Sequence, residues 1–142
     1  MNEEEYIKQR LEDQIKWYDE KSIKNKKYYN LFRTLEIIMA GAIPFVVGFI
    51  SCNIQLIKFV VGLLGVGVAV ISGMQSLFKF HENWIEYRTT CESLKHEKYL
   101  YLSRCEPYDD ESRFCRLVDR VENLISKEHS QWTKNVSKAE KI

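Results

Sequence analysis

Between Ile37 and Phe78 the chain carries one charged side chain, Lys58; every other Lys, Arg, Asp and Glu lies outside that window. A helix needs about 20 mostly apolar residues to cross a hydrocarbon core about 30 Å thick. Residues 37–57 and 59–78 each reach that length without a charge. A helix packed into a soluble bundle would show a polar stripe on its outer face, and most of this window shows none. The window therefore predicts two transmembrane helices, 35–52 and 57–78, joined by an outer loop at 53–56 that leaves room only for a tight hairpin.

Averages conceal this pattern. The 142 residues are 45% hydrophobic and 29% charged with a net charge of +1, which describes one ordinary domain with one core. Those values exclude a disordered chain, a nucleic-acid binder with a large basic surplus, and a disulfide-dense secreted fold. Basic residues flank the window on both sides: Lys8, Arg10, Lys16, Lys21, Lys24, Lys26, Lys27 and Arg33 before it, and twelve more after it, led by Lys79 and Arg88. With Lys58 alone on the hairpin side, the positive-inside rule predicts both termini in the cytoplasm. The first 30 residues are densely charged and contain no apolar signal-peptide core.

The flanks read as helices. The chain has two prolines, Pro44 and Pro107, and all six glycines fall between Gly41 and Gly73. A cytoplasmic helix over 1–34 therefore runs into the first span, with Leu11, Ile15, Tyr18, Tyr29 and Phe32 on its apolar face and Ser22 and Asn25 weakening the seam. Pro44 removes a backbone donor and predicts a kink within that span. The second span continues through 79–105 without a breaker. There Trp84, Tyr87, Cys91, Leu94, Lys98, Tyr101 and Cys105 follow a coiled-coil-like rhythm with a polar defect at Lys98. Pro107 ends this rod, and Tyr108 through Glu111 start a third helix over 108–133. Its apolar stripe is Phe114, Leu117, Val118, Val121, Leu124, Ile125 and Trp132, its outer face carries Arg113, Arg116, Arg120 and Glu122, and 134–142 form a frayed tail. The fold class is an all-α membrane protein of one domain: a two-helix transmembrane hairpin with long cytoplasmic extensions, the C-terminal helix packing back as a bundle. Trp17, Tyr18, Trp84, Tyr87, Tyr99, Tyr101 and Trp132 exceed what one small bundle needs, which points to packing between subunits; an interfacial aromatic belt is the competing claim on Trp84 and Tyr87.

Catalytic chemistry is missing from the pattern. His81, His96 and His129 have no partner spacing that makes a triad or a metal site, and Glu82, Glu86, Glu92 and Glu97 read as solvated or inter-helix charges. The run Gly62, Gly65, Gly67 is embedded in apolar sequence and is no phosphate loop. Cys91, Cys105 and Cys115 are expected as free thiols filling helix interfaces, and Cys52 near the outer end is left as a candidate for pairing between subunits. The expectation is a protein that is not an enzyme and takes no metal or cofactor.

Two patterns in the second span carry more. Ser72, Gln75, Ser76, Lys79 and Asn83 fall at helical spacing on one face, and beside them run the small residues Gly62, Gly65, Ala69 and Gly73. Small residues let helices approach closely in lipid, and polar side chains at membrane depth face protein or water. The glycine face is thus the candidate helix-packing surface and the polar face the candidate pore lining, with Gln75 and Lys79 as rings near the cytoplasmic mouth. The plainer reading has Gln75 and Ser72 bonding a neighbouring helix and Lys79 snorkelling. The outer half, Phe59 to Ile71, has glycines but no polar side chains, which for a pore implies a gate that opens by wetting. Lys24, Lys26, Lys27 and Arg33, with Lys21, are candidate contacts for anionic lipid, set against an ordinary topogenic signal.

Arg10-Leu11-Glu12, Gln14 and Trp17-Tyr18 precede the first span; His81, Trp84, Tyr87-Arg88, Glu92, Leu94-Lys95, Glu97, Tyr99 and Tyr101 follow the second; Val121-Glu122, Glu128 and Trp132 come near the end. This ordered set resembles a bacterial two-transmembrane family filed as a domain of unknown function and similar to the SLATT (SMODS- and SLOG-associating two-TM) effector domains. The resemblance implies a bare membrane module of the bacterial inner membrane, a pore related to effectors of defence or stress signalling, and carries no catalytic or ligand residues. The expected function is a homo-oligomeric ion channel or pore lined by the second span, with lipid, ions and further copies of itself as partners and no nucleic acid. The alternative is a non-conducting membrane-anchored scaffold whose cytoplasmic helices recruit a signalling protein.

Overall fold

The computed structural model describes residues 2–48 and 54–139; for 128, 129 and 131–139 it describes the course of the backbone alone. Three helices account for the described residues. Helix α1 is Glu3–Val47 and helix α2 is Ile54–Ser103; α3 is Arg113–Ala139. Both α1 and α2 are long and apolar enough to cross a membrane. Cys52 and residue 53 lie outside the described residues, and the rest of the expected outer loop, 54–56, is helical. The second apolar helix begins at Ile54, earlier than the expected 57, because Ile54, Leu56 and Ile57 continue its apolar run without a breaker.

The chain divides into two compact units, residues 1–23 with 84–142, and residues 24–83. Among the described residues, all the fully buried ones belong to the first. Tyr6, Leu11 and Tyr18 of α1, Cys91, Leu94 and Tyr101 of α2, Tyr108, and Leu117, Val121 and Ile125 of α3 form its core. Tyr6 and Leu11 stand five residues apart and would diverge on an α-helix. A wide π turn over Tyr6–Leu11 brings both to the core side, and Ile15, Tyr18 and Ser22 then follow at ordinary α spacing. Ser22 is buried rather than a gap in the seam: its hydroxyl donates to the Asp19 carbonyl at 2.9 Å. Glu3 pairs with Arg113 at 3.1 Å and Arg10 with Glu122 at 3.1 Å, so α1 and α3 run in the same direction in this unit. The α2 segment runs against both, as the Lys98–Glu12 pair at 2.7 Å and the Arg120–Glu97 pair at 2.6 Å require.

Three expectations for the helices are corrected. The rod from the second span is interrupted: α2 comprises Ile54–Phe78 and Phe80–Ser103, with Lys79 between them at φ 47°. The rod also ends before Pro107. Arg104 adopts φ 52°, its N–H donates to the Tyr101 carbonyl at 3.3 Å, and the Cys105 N–H reaches back to Leu100 at 3.2 Å. This is the Schellman closure, with Arg104 where glycine is usual. Finally, α3 begins at Arg113 rather than 108, since Tyr108 is spent on the core; Asp110 accepts from the Ser112 N–H at 3.1 Å and pairs with Arg116 at 2.7 Å to start the helix. Its backbone then stays helical to Ala139, past the expected end at 133, and the Trp132 side chain lies outside the described residues. Of the thiols, Cys91 alone fills an interface; Cys105 and Cys115 are exposed.

Residues 24–83 are built differently. None of the described residues there is fully buried. Half-buried positions recur along α1 at Phe32, Glu36, Met39, Ile43 and Val46, and along α2 at Ile57, Val60, Leu64, Gly67, Ile71 and Gln75. These spacings of three and four define one antiparallel seam. Pro44 lies inside α1 at an exposed position, where its missing N–H leaves the Ala40 carbonyl without its helical donor.

Candidate functional site at the polar end of the hairpin

Seam positions in an apolar hairpin are expected to be aliphatic. At one end the seam instead pairs a carboxylate with an amide. Gln75 Nε2 donates to Glu36 Oε2 at 2.9 Å, and Arg33, one turn earlier on α1, donates to the same oxygen at 3.0 Å. The Ser72 hydroxyl is a further donor to Glu36. The Glu36 side chain is only 15% exposed, whereas Arg33 is 56% exposed. The carboxylate is therefore held in the seam by Gln75 while its counter-ion reaches in from the surface. Charges in such surroundings are costly unless paired; here the pairing comes from both helices.

The predicted polar face is divided by this geometry. Ser72 and Gln75 join Glu36. Ser76 is exposed one turn further along, in line with Ala69, Ser72 and Gly73 at spacings of three, four and seven. The helical register assigned through Lys79 and Asn83 does not continue, because Lys79 is left-handed. Asn83 Nδ2 takes up the Phe78 carbonyl at 3.1 Å, which the interruption strips of its usual helical donor. Around the break, Phe32 stacks on Phe80 at 5.7 Å, Phe78 on Phe80 at 5.5 Å, and Tyr29 meets His81 at 4.8 Å. Lys24, Lys26, Lys27 and Arg33 all occupy exposed positions, but Arg33 differs in being engaged with Glu36.

The small-residue face turns outward. Gly62, Gly65, Ala69 and Gly73 are exposed, and beyond the local helix backbone and chain neighbours no atom of the described residues lies within 4 Å of where a Cβ would stand at Gly62, Gly65 or Gly73. The glycine that the fold itself uses is Gly67, whose missing Cβ makes room for the Met39 methyl. Sequence reasoning missed Gly67 and Glu36. Glu36 ends the charged flank one residue before the charge-free window and has no pattern of its own there; its i,i+3 spacing to Arg33 is the available signal.

In the other unit, charges expected on the outer face of α3 turn inward at its flanks. Glu122 accepts from Arg10 and, at 3.2 Å, from the Tyr6 hydroxyl. The Arg10 hydrogen bond holds Glu122 below the usual carboxylate range, and burial together with Glu122 pushes the Tyr6 phenol up. Glu97 is buried in place of the expected Lys98; it accepts from Arg120 at 2.6 Å and from the Tyr108 hydroxyl. Burial, then Glu97, raises the Tyr108 phenol. Burial likewise raises the Cys91 thiol. Arg10, Gln14, Trp17, Tyr18 and Glu122 line a groove of about 560 Å³. Among the described residues no group of three or more His, Cys, Asp and Glu side chains is placed to hold a metal ion.

These features define an all-α protein with two helices able to cross a membrane and an ion-paired polar cluster between them. The chain belongs to the protein family of unknown function DUF4231, whose model matches residues 13–113. That match spans the apolar parts of both long helices and the polar continuation of α2 after Lys79; it brings no assigned activity and no link to the SLATT domains. No curated protein and no solved structure matches the chain.

Proposed function

We propose that the chain is one subunit of a homo-oligomeric pore in the bacterial inner membrane, with α1 and α2 crossing the bilayer and both termini cytoplasmic. The observation that carries this reading is the outward stripe Gly62, Gly65, Ala69, Gly73, which ends in Ser72 and Ser76 and which none of the described residues covers. In lipid such a stripe gains little from exposure and much from close packing against a second helix. Copies joined along it bring Ser72, Ser76 and the Glu36–Gln75 cluster to a common inner mouth. The reading includes an effector role of the kind that the sequence resemblance to SLATT domains implies. The experiment is reconstitution in planar bilayers. Discrete currents are expected, with Gly65→Leu reducing both the cross-linked oligomer and the current, and Gln75→Leu altering conductance. Correctly inserted protein that passes no current overturns the reading.

A second reading, a non-conducting anchored scaffold, is favoured by one observation: the groove of about 560 Å³ is lined by Arg10, Gln14, Trp17 and Tyr18, the residues of the patterned segment before the first span. Impermeable proteoliposomes together with a stoichiometric cytoplasmic partner lost on Trp17→Ala would select it.

A further inference from the structure

We infer that Glu36, with Gln75 and Ser72, forms a binding site for alkali-metal cations at the inner mouth and gives the pore a preference for cations over anions. This rests on the pore reading and deepens it. The donor set is all oxygen on the acceptor side: the Glu36 carboxylate, the Ser72 hydroxyl, and the Gln75 Oε1 left as an acceptor once Nε2 is committed to Glu36 at 2.9 Å. Hard cations take such ligands in place of their water. A seam position filled by leucine would pack the hairpin equally well, so the carboxylate is a cost that packing does not explain.

Arg33 supplies the second half of the device. Its guanidinium bonds Glu36 at 3.0 Å but is 56% exposed, against 15% for the carboxylate. The anion is fixed in the seam and its counter-ion is the more mobile partner. With no ion present, Arg33 neutralises Glu36. An arriving cation takes its place, so the half-buried carboxylate is never left unpaired, while the exposed guanidinium returns to water. An anion meets the reverse arrangement, a carboxylate that cannot withdraw. In a homo-oligomer the carboxylates repeat as a ring, which is how cation-selective pores concentrate their field.

The test is the reversal potential of single channels in a KCl gradient, for the wild-type chain and for Glu36→Gln, Glu36→Asp and Arg33→Gln, each checked for oligomeric state by cross-linking. The wild type is expected to prefer potassium to chloride. Glu36→Gln is expected to lower the permeability ratio by about tenfold, the factor one ordinary charge contact supplies; Glu36→Asp keeps most of the preference, and Arg33→Gln raises it by removing the competitor. A wild type that conducts, with a ratio unchanged in Glu36→Gln, overturns this inference and leaves the pore reading standing. A wild type that inserts and conducts nothing overturns both. If Glu36→Gln fails to assemble, Arg33→Gln decides: a raised ratio supports the site, an unchanged or lowered one overturns it.

Discussion

The two units of the chain use helices for opposite ends. Residues 1–23 with 84–142 close a core in which ten apolar side chains are buried, with Glu97 and Ser22 enclosed among them. The described residues of 24–83 bury nothing completely and expose Leu31, Ile38, Phe45, Phe59, Leu63 and Leu77. The first unit satisfies the hydrophobic effect within itself; the second leaves it to the surroundings. The difference shows which residues report on the fold of one chain and which on what that chain meets.

The largest test of this division removes core volume. Leu117→Ala is expected to destabilise the first unit by about 2–5 kcal/mol. Segment-resolved hydrogen exchange in detergent should show faster exchange around Cys91 and Leu117, while residues 60–75 remain as they were. Acceleration in both places would mean that the two units unfold as one. Next comes Tyr108→Phe. It takes from buried Glu97 one of its partners and leaves Arg120, a loss of about 1–3 kcal/mol for an under-bonded buried group, readable as a lower melting temperature.

Acid should weaken the same unit. Arg10 holds Glu122 below the ordinary carboxylate range, so its contribution is complete above the unfolded value of about 4.3 and is lost as the pH falls through the lower native value. Melting followed from pH 7 down to pH 3 should show this loss, and Glu122→Gln should flatten the profile; an unchanged slope would place the acid response elsewhere. Arg104→Gly should stabilise by about 0.5–1 kcal/mol, since glycine accepts the left-handed closure without a Cβ clash; a lowered melting temperature would contradict that closure. The smallest expected effects belong to the hairpin. Gly67→Ala displaces only the flexible end of Met39 and should cost a few tenths of a kcal/mol at most, while Gly65→Ala should leave the isolated hairpin untouched and act on the oligomer alone. Equal responses at the two glycines would erase the distinction between inner and outer faces.

How far the sequence could be read follows the same division. The hairpin was legible because an absence of charge over two spans is a global signal, insensitive to one misplaced residue. The stripe of α3 was legible because Leu117, Val121 and Ile125 repeat at helical spacing. What stayed hidden depended on local backbone geometry. The π turn rotates Tyr6 into the core, where strict α periodicity would separate it from Leu11. Lys79 and Arg104 take left-handed conformations that side-chain type does not announce in a lysine or an arginine. Glu97 rather than Lys98 enters the interior because Tyr108 and Arg120, from a turn and a later helix, meet it there. In the candidate site Gln75 and Ser72 were found, being polar within an apolar run, and Glu36 was missed, being charged at the edge of a charged flank.

The order in which the chain is made gives the placement of the core a consequence. Tyr6 bonds Glu122 across a separation of 116 residues. The N-terminal segment leaves the ribosome long before any residue that can cover it, and the entire apolar hairpin is synthesised in between. Closing such a distant contact is a late event. The bundle can lock only once residues 113–125 have been made and have met residues 6–22, so its formation registers that the whole stretch between them is in place.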